Sequence, residues 1–159
     1  RTPPEALSPR AKSHNYLNLI MADMEAKAQN PEAWAILLDT RGFLTEGIGS
    51  NIFTIKDGVI YTPQEQYVLG GISRETAIEM AERIDVPVVT KDIDLFDAMT
   101  ADEIFLTSTS LCICGVSSFQ GRKIGDGSAA GPITKALMNE YVDFVEYDWI
   151  GQYLKRLED

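Results

Sequence analysis

The chain has 159 residues, 45% of them hydrophobic, which suits one globular domain with a sizeable core. Its 24 acidic and 14 basic residues leave a formal net charge of -10 with no basic run able to neutralise a phosphate backbone, so nucleic acid is set aside as a partner. No apolar run approaches the roughly 20 residues that span a bilayer, and the opening "RTPPEALSPR" lacks the apolar centre of a signal peptide, so a cytoplasmic protein with no membrane partner is the expectation.

The three prolines of that opening read as an extended connector. From Asn15 to about Gln29, residues Leu17, Ile20, Met21, Met24 and Ala28 form the stripe of an amphipathic helix, with Asn15 as its N-cap. "AWAILLD", residues 33 to 39, is apolar on both alternations and predicts a strand covered on both sides. "TEGIGSN" reads as an acidic glycine loop, and "NIFTIKDGVIYTP" as a hairpin turning at Asp57-Gly58. "LGGISRETAIEMAERI" predicts a helix that begins near Ile72 or Ser73, glycine-opened and hydroxyl-capped. "VPVVTK" reads as a strand, "DIDLFDAMTA" as a short helix and "EIFLTS" as a buried strand running into the hydroxyls of Thr107 to Ser110. A hairpin is predicted over "CICGVSSFQGRKI" with its turn at Gln120-Gly121, and Pro132 starts a long C-terminal helix striped by Ile133, Leu137, Tyr141, Phe144 and Val145. The pattern is a mixed α/β domain without internal repeats.

Chemistry has few places to sit. One histidine, His14, and two cysteines give neither a zinc ligand set nor a Ser-His-Asp or Cys-His arrangement, and His14 reads as a helix-start or surface residue. Strand alternation puts Cys112 and Cys114 on one face, too cramped for a disulfide, so both read as buried or half-buried thiols. No GxxxxGK motif exists, and the glycine loop lacks the third glycine of a dinucleotide fingerprint. Glu46 would repel a phosphate, so that loop requires a ligand with a cation to offer. The amino end of the Ser73 helix, by contrast, presents unpaired N–H groups to an anion, and the hydroxyls of Ser108 to Ser110 could join it. Taken singly, each of these segments also reads as an ordinary solvated charge, turn or loop.

"AKSHNYL", "LTEGIGSNIFTIKDGVIYTP", "VLGGISRETAIEMA" and "EIFLTSTS", followed by "GRKIGDGSAAGPITKAL", stand in an order that resembles the class IV pyridoxal-phosphate aminotransferases. That family includes branched-chain and D-amino acid aminotransferases, (R)-selective amine transaminases and aminodeoxychorismate lyases. The resemblance covers nearly everything from Lys12 onward. It implies an α+β fold, the large-domain pseudo-barrel of fold type IV enzymes, with pyridoxal 5'-phosphate as cofactor. Lys12 matches the family's Schiff-base lysine, which also moves the substrate proton, and Tyr16 the tyrosine on the ring phenolate. Glu46 matches the acid that keeps the pyridine nitrogen protonated, with Gly49 beside the flat ring. Gly71, Ile72 and Ser73 match the helix start that holds the phosphate, assisted by Ser108 and Thr109; Thr109 and Ser110 would also lie near substrate.

In the family a smaller domain precedes the lysine segment and supplies an arginine to the phosphate. The resemblance therefore implies that residues 1–11 are an interdomain connector and residues 12–159 the cofactor-binding large domain, with the small domain absent from this chain or carried on another. "STSLCICG" stands where many relatives carry "GTAAEITP", which leaves substrate preference open. The activity implied is transfer of an amino group from an amino acid or amine donor to a 2-keto acid, branched-chain or (R)-amine-transaminase-like, in a homodimer or higher oligomer. A lyase of the aminodeoxychorismate type and a non-catalytic fragment stay open beside it.

Overall fold

The computed structural model describes residues 1–158. In chain order the elements are α1 (Leu17–Gln29), β1 (Ile36–Leu38), β2 (Leu44–Gly47), β3 (Asn51–Lys56), β4 (Val59–Thr62), α2 (Ile72–Arg83), β5 (Val88–Thr90), α3 (Leu95–Met99), β6 (Glu103–Ser108), β7 (Cys112–Gly115), β8 (Ser118–Phe119), β9 (Arg122–Lys123), α4 (Pro132–Val145) and α5 (Trp149–Glu158). None of these helices is long and apolar enough to cross a membrane.

Strands β1 to β7 form one mixed, branched sheet around the antiparallel pair β3–β6, whose register runs from Asn51 opposite Thr107 to Ile55 opposite Glu103. The other edge of β3 is shared. Asn51 pairs with Glu46 of β2, while Thr54 to Lys56 pair with β4 through a turn at Asp57-Gly58. Both turn residues have positive φ, 50° and 79°, as a two-residue hairpin of the mirror-image type demands. Strand β5 joins β4 in parallel after α2 crosses over, β7 lies antiparallel on β6, and β8–β9 is a separate hairpin turning at Gln120-Gly121.

Both faces of the sheet are covered. Side chains alternate across a strand, so Phe53, Ile55, Phe105 and Ile113 meet Ala77, Met80 and Ala81 of α2 and Leu137 of α4 on one face. Leu44, Ile52, Ile104 and Leu106 meet Ile93, Ala98, Ala101 and Ile124 on the other. Phe53 and Phe105, neighbours across the central pair, stack with ring centroids 4.6 Å apart. Carboxylates close several helix starts. Asp94 and Asp97 form a capping box on α3, Asp148 accepts from Gly151 N in α5, and the buried Glu103 of β6 accepts from Ile133 N and Thr134 N of α4, each at 2.9 Å.

Several expectations change. Helix α1 starts at Leu17 with Tyr16, not Asn15, as N-cap, and its apolar stripe is exposed, Leu17 and Met24 each at 66%. The strand predicted over 33–39 shortens to β1, only Leu37 of which is buried, because β1 is an edge. Strand β5 likewise keeps an exposed edge. "TEGIGSN" is not all loop, since Thr45, Glu46 and Gly47 belong to the buried strand β2. Helix α2 opens at Gly71 without a side-chain cap, so its start is not hydroxyl-capped. The hairpin predicted over 112–124 divides, because β7 finds a longer partner in β6 than the short run after it offers. The stripe of α4 buries Leu137 and leaves Phe144 and Val145 exposed, and α5 follows it as an element the periodicity did not predict.

Candidate active site

At one end of the sheet Glu46, Asn51 and Thr107 stand side by side across β2, β3 and β6. Strand β2 is locked in place although two of its residues are polar. Thr45 Oγ1 donates to Leu37 O at 2.9 Å, and Gly47 N donates to Ser50 O at 2.8 Å to close the turn into β3. A Cβ on Gly47 would fall on Ser50 Oγ, which would have to rotate away, whereas a Cβ on Gly49 would meet nothing within 4 Å. Asn51 Nδ2 donates to Leu69 O and Leu69 N donates to Glu46 Oε2, both at 2.9 Å, so the segment leading into α2 is hung from the two strands. Gly71 completes that junction, because a Cβ there would collide with Asn51 Oδ1.

Glu46 is the charged centre of the group. Its side chain is 8% exposed, and Arg1 Nε donates to its Oε1 at 2.6 Å. Burial pushes its carboxyl above the usual glutamate range, partly offset by the Leu69 N–H and the Arg1 guanidinium. A carboxylate offers about four lone-pair sites, and two are taken here, so an N–H donor from a ligand can still be accepted. A cationic ring nitrogen fits this donor set. Thr107, beside Asn51, holds a buried hydroxyl without a partner among the described residues.

The start of α2 offers the opposite chemistry. Gly71 is the N-cap with extended backbone and no side-chain cap, Ile72 is exposed and Ser73 is buried. Free N–H groups and the helix dipole at such an end suit a phosphate. Arg74 behind them is fully buried, with Nη1 on Glu75 Oε1 at 2.8 Å and with Nε and Nη2 unpartnered among the described residues.

The remaining predicted residues lie on two exposed segments. Lys12 and Tyr16 precede α1, with the His14 and Tyr16 rings stacked at 5.9 Å and His14 at a positive φ of 61° on the surface. Ser108 is half-buried where β6 ends, while Thr109 and Ser110 are exposed in the turn to β7. Ser108 Oγ accepts from Leu111 N and lies 3.2 Å from Ser110 Oγ, and Tyr153 of α5 donates its hydroxyl proton to Ser110 O. Hydrogen bonds among the described residues thus unite Glu46 with the approach to Gly71, Ile72 and Ser73, and register joins them to β6. No such bond ties Lys12 or Tyr16 to that group. What the motifs missed are Asn51, Leu69 and Arg1, the last 45 residues from its partner. Cys112 and Cys114 are half-buried free thiols, both made less acidic by burial. A groove of about 500 Å³ beside the start of α4, lined by Glu103, Ile124 and Lys135, contains none of the residues named for the site.

The family described as Amino-transferase class IV matches residues 1–119. A putative branched-chain-amino-acid aminotransferase of Methanocaldococcus jannaschii is 40% identical over 90% of this chain and 49% of its own length. The branched-chain-amino-acid aminotransferase of Pseudomonas aeruginosa is 41% identical over 86% of this chain and 44% of its own. Among solved structures, a branched-chain amino acid aminotransferase complexed with N-(5'-phosphopyridoxyl)-L-glutamate superposes with a TM-score of 0.82 at 34% identity, over 89% of this chain and 47% of that one. The Escherichia coli branched-chain amino acid aminotransferase superposes with a TM-score of 0.81 at 33% identity, over 86% of this chain and 46% of that one. The chain spans about half the length of the curated relatives it matches, and the α+β fold is theirs. With the match running through the lysine segment, the Glu46 strand, the α2 junction and the β6 turn, the chain belongs to the class IV aminotransferase family.

Proposed function

We propose that this chain is the cofactor-binding part of a pyridoxal-phosphate aminotransferase that moves an amino group from a branched-chain amino acid to a 2-keto acid. The observation that carries this reading is the buried Glu46 carboxylate, hydrogen-bonded to Leu69 N in the approach to an uncapped helix start. One junction thereby offers an acceptor for a cation and donors for an anion, the two ends of the cofactor. When bound, pyridoxal phosphate supplies an electron sink, its protonated ring delocalising the charge left when a substrate Cα–H proton is removed. Lys12 Nζ would anchor the cofactor, then take and return that proton. Tyr16 would donate to the ring phenolate oxygen, and Glu46 would accept from the ring nitrogen. Gly49, with open space where a Cβ would stand, leaves room for a flat ring. The N–H groups at Gly71, Ile72 and Ser73, with Ser108 and Thr109, would hold the phosphate, and Thr109 and Ser110 would border the substrate.

The named relatives are aminotransferases, which supports transfer over elimination. We extend the reading to a homodimer and to a cytoplasmic protein; for the dimer the support is the exposed stripe of Leu17, Ile20, Met21 and Met24, an apolar surface suited to a second copy. The test is a donor panel of leucine, isoleucine, valine and (R)-1-phenylethylamine with 2-oxoglutarate or pyruvate. Turnover with the branched-chain donors that consumes the keto acid is expected, and Lys12→Ala should lose both turnover and the visible absorbance of the lysine-bound cofactor. Elimination without consumption of a keto acid would overturn the reading, as would a Lys12→Ala variant that kept both properties.

A further inference from the structure

We propose that Arg1 is a positioning residue for Glu46, holding that carboxylate ionised and aimed so that it can keep the cofactor ring nitrogen protonated. The inference rests on the reading of Glu46 given above. No local pattern announces this pairing. Arg1 lies 45 residues from Glu46, yet its backbone nitrogen donates to Leu38 O of β1 at 2.6 Å and its Nε to Glu46 Oε1 at 2.6 Å. The arginine side chain is 11% exposed and the glutamate 8%, so water is largely excluded from the pair. Arg1 also lines a cavity of about 100 Å³ together with Asp39, Thr45 and Tyr67, which places it against the strand that carries Glu46.

The chemistry of burial makes this partner necessary. A carboxyl taken out of water and given no cation relieves the cost by keeping its proton. A neutral acid in that place could still hydrogen-bond a ring nitrogen, but it would no longer favour the protonated ring by charge. Leu69 N–H alone is a single neutral donor, whereas a guanidinium stays charged across the whole working pH range. Among the described residues, the charged side chain facing Glu46 is the Arg1 guanidinium. Arg1 spends only Nε on the carboxylate, and Leu69 takes the other oxygen. The two bonds fix the plane of the carboxylate and leave lone pairs for a third donor.

The test compares the full wild-type chain with Arg1→Met, Arg1→Gln and Arg1→Lys, each checked for folding by circular dichroism. Without cofactor, an infrared titration follows the carbonyl stretch of protonated Glu46, assigned by its loss in Glu46→Gln. Removing a cation at this distance should raise the midpoint by about one to three pH units in Arg1→Met. Arg1→Gln, which keeps a donor but no charge, should behave similarly, and Arg1→Lys should return at least half of the shift. With pyridoxal phosphate added, the absorbance band of the protonated ring should be weaker near neutral pH in the uncharged variants, because the more basic carboxylate competes for the proton it shares with the ring. Arg1→Gln carries the test if Arg1→Met does not fold. A midpoint unmoved in both uncharged variants would overturn the proposal. So would a cofactor spectrum that responds to Glu46→Gln and ignores Arg1. A spectrum indifferent to Glu46→Gln as well would overturn the assignment of Glu46 itself, and the infrared titration separates the two failures.

Discussion

Gly71→Ala is the sharpest probe of the junction, because its effect depends on a neighbour that can be removed. The backbone at Gly71, φ -74° and ψ 136°, suits any residue, so alanine meets no conformational barrier there. What it meets is Asn51 Oδ1, which must move, and Asn51 is buried and holds Leu69 O at 2.9 Å. Overpacking of this kind costs about 1–3 kcal/mol, and a broken hydrogen bond to Leu69 about 1 kcal/mol more. Asn51→Ala alone should cost about 1–2 kcal/mol through the lost bond and the cavity. In the double variant the obstacle is gone. The weaker N-cap preference of alanine, roughly 0.5–1 kcal/mol, is then offset by a gain of about 0.4–1 kcal/mol from a stiffer unfolded chain. Gly71→Ala should therefore be destabilising in the wild type and near neutral beside Asn51→Ala, a coupling of about 2–4 kcal/mol. Urea unfolding of the four proteins measures it. Costs that add to within about 0.5 kcal/mol would refute the steric account of Gly71.

Glu103→Ala strips α4 of both acceptors that Ile133 N and Thr134 N use, so a loss of about 3 kcal/mol is expected, with Glu103→Gln losing less; thermal melts check this, and an alanine variant within about 0.5 kcal/mol of wild type would contradict it. Glu46 binds its proton more tightly in the folded chain than in the unfolded one, so its contribution to stability is present below the unfolded value and is lost as pH rises through the folded one. Melting temperatures of wild type and Glu46→Gln compared from about pH 4 to 7 should therefore shift in favour of the variant as pH rises, and a constant gap would refute the sign. Lys12→Ala, at an exposed position outside any element, should leave the melting temperature within about 2 °C of wild type, and a larger fall would give Lys12 a structural role.

What the sequence made legible was local. Asp57-Gly58, Gln120-Gly121 and Pro132 act through their own backbone preferences, and all three stand where their chemistry placed them. Helix α1 was readable as a helix from its apolar spacing, but periodicity names a face and not what covers it. Strand β2 was unreadable for the opposite reason. Thr45 and Glu46 break any apolar alternation, and they are buried because Leu37, Leu69 and Arg1, at separations of 8, 23 and 45 residues, satisfy them. Motif order alone brought Glu46 and the α2 start into one site, while the bonds that join them pass through Asn51 and Leu69, which carry no signature of their own.

The carboxylates at the helix starts have a consequence for how a ligand finds its place. Asp94, Glu103 and Asp148 satisfy the positive poles of α3, α4 and α5 from within the chain, while α1 and α2 have no side-chain cap. A phosphorylated ligand nearing this chain, whose net charge is -10, is repelled at long range, and only within the last few ångströms do the free N–H groups of the uncapped α2 start draw it in. Dissolved salt, which screens beyond roughly 8 Å at physiological strength, should therefore hasten arrival while leaving the seated ligand's short hydrogen bonds largely untouched.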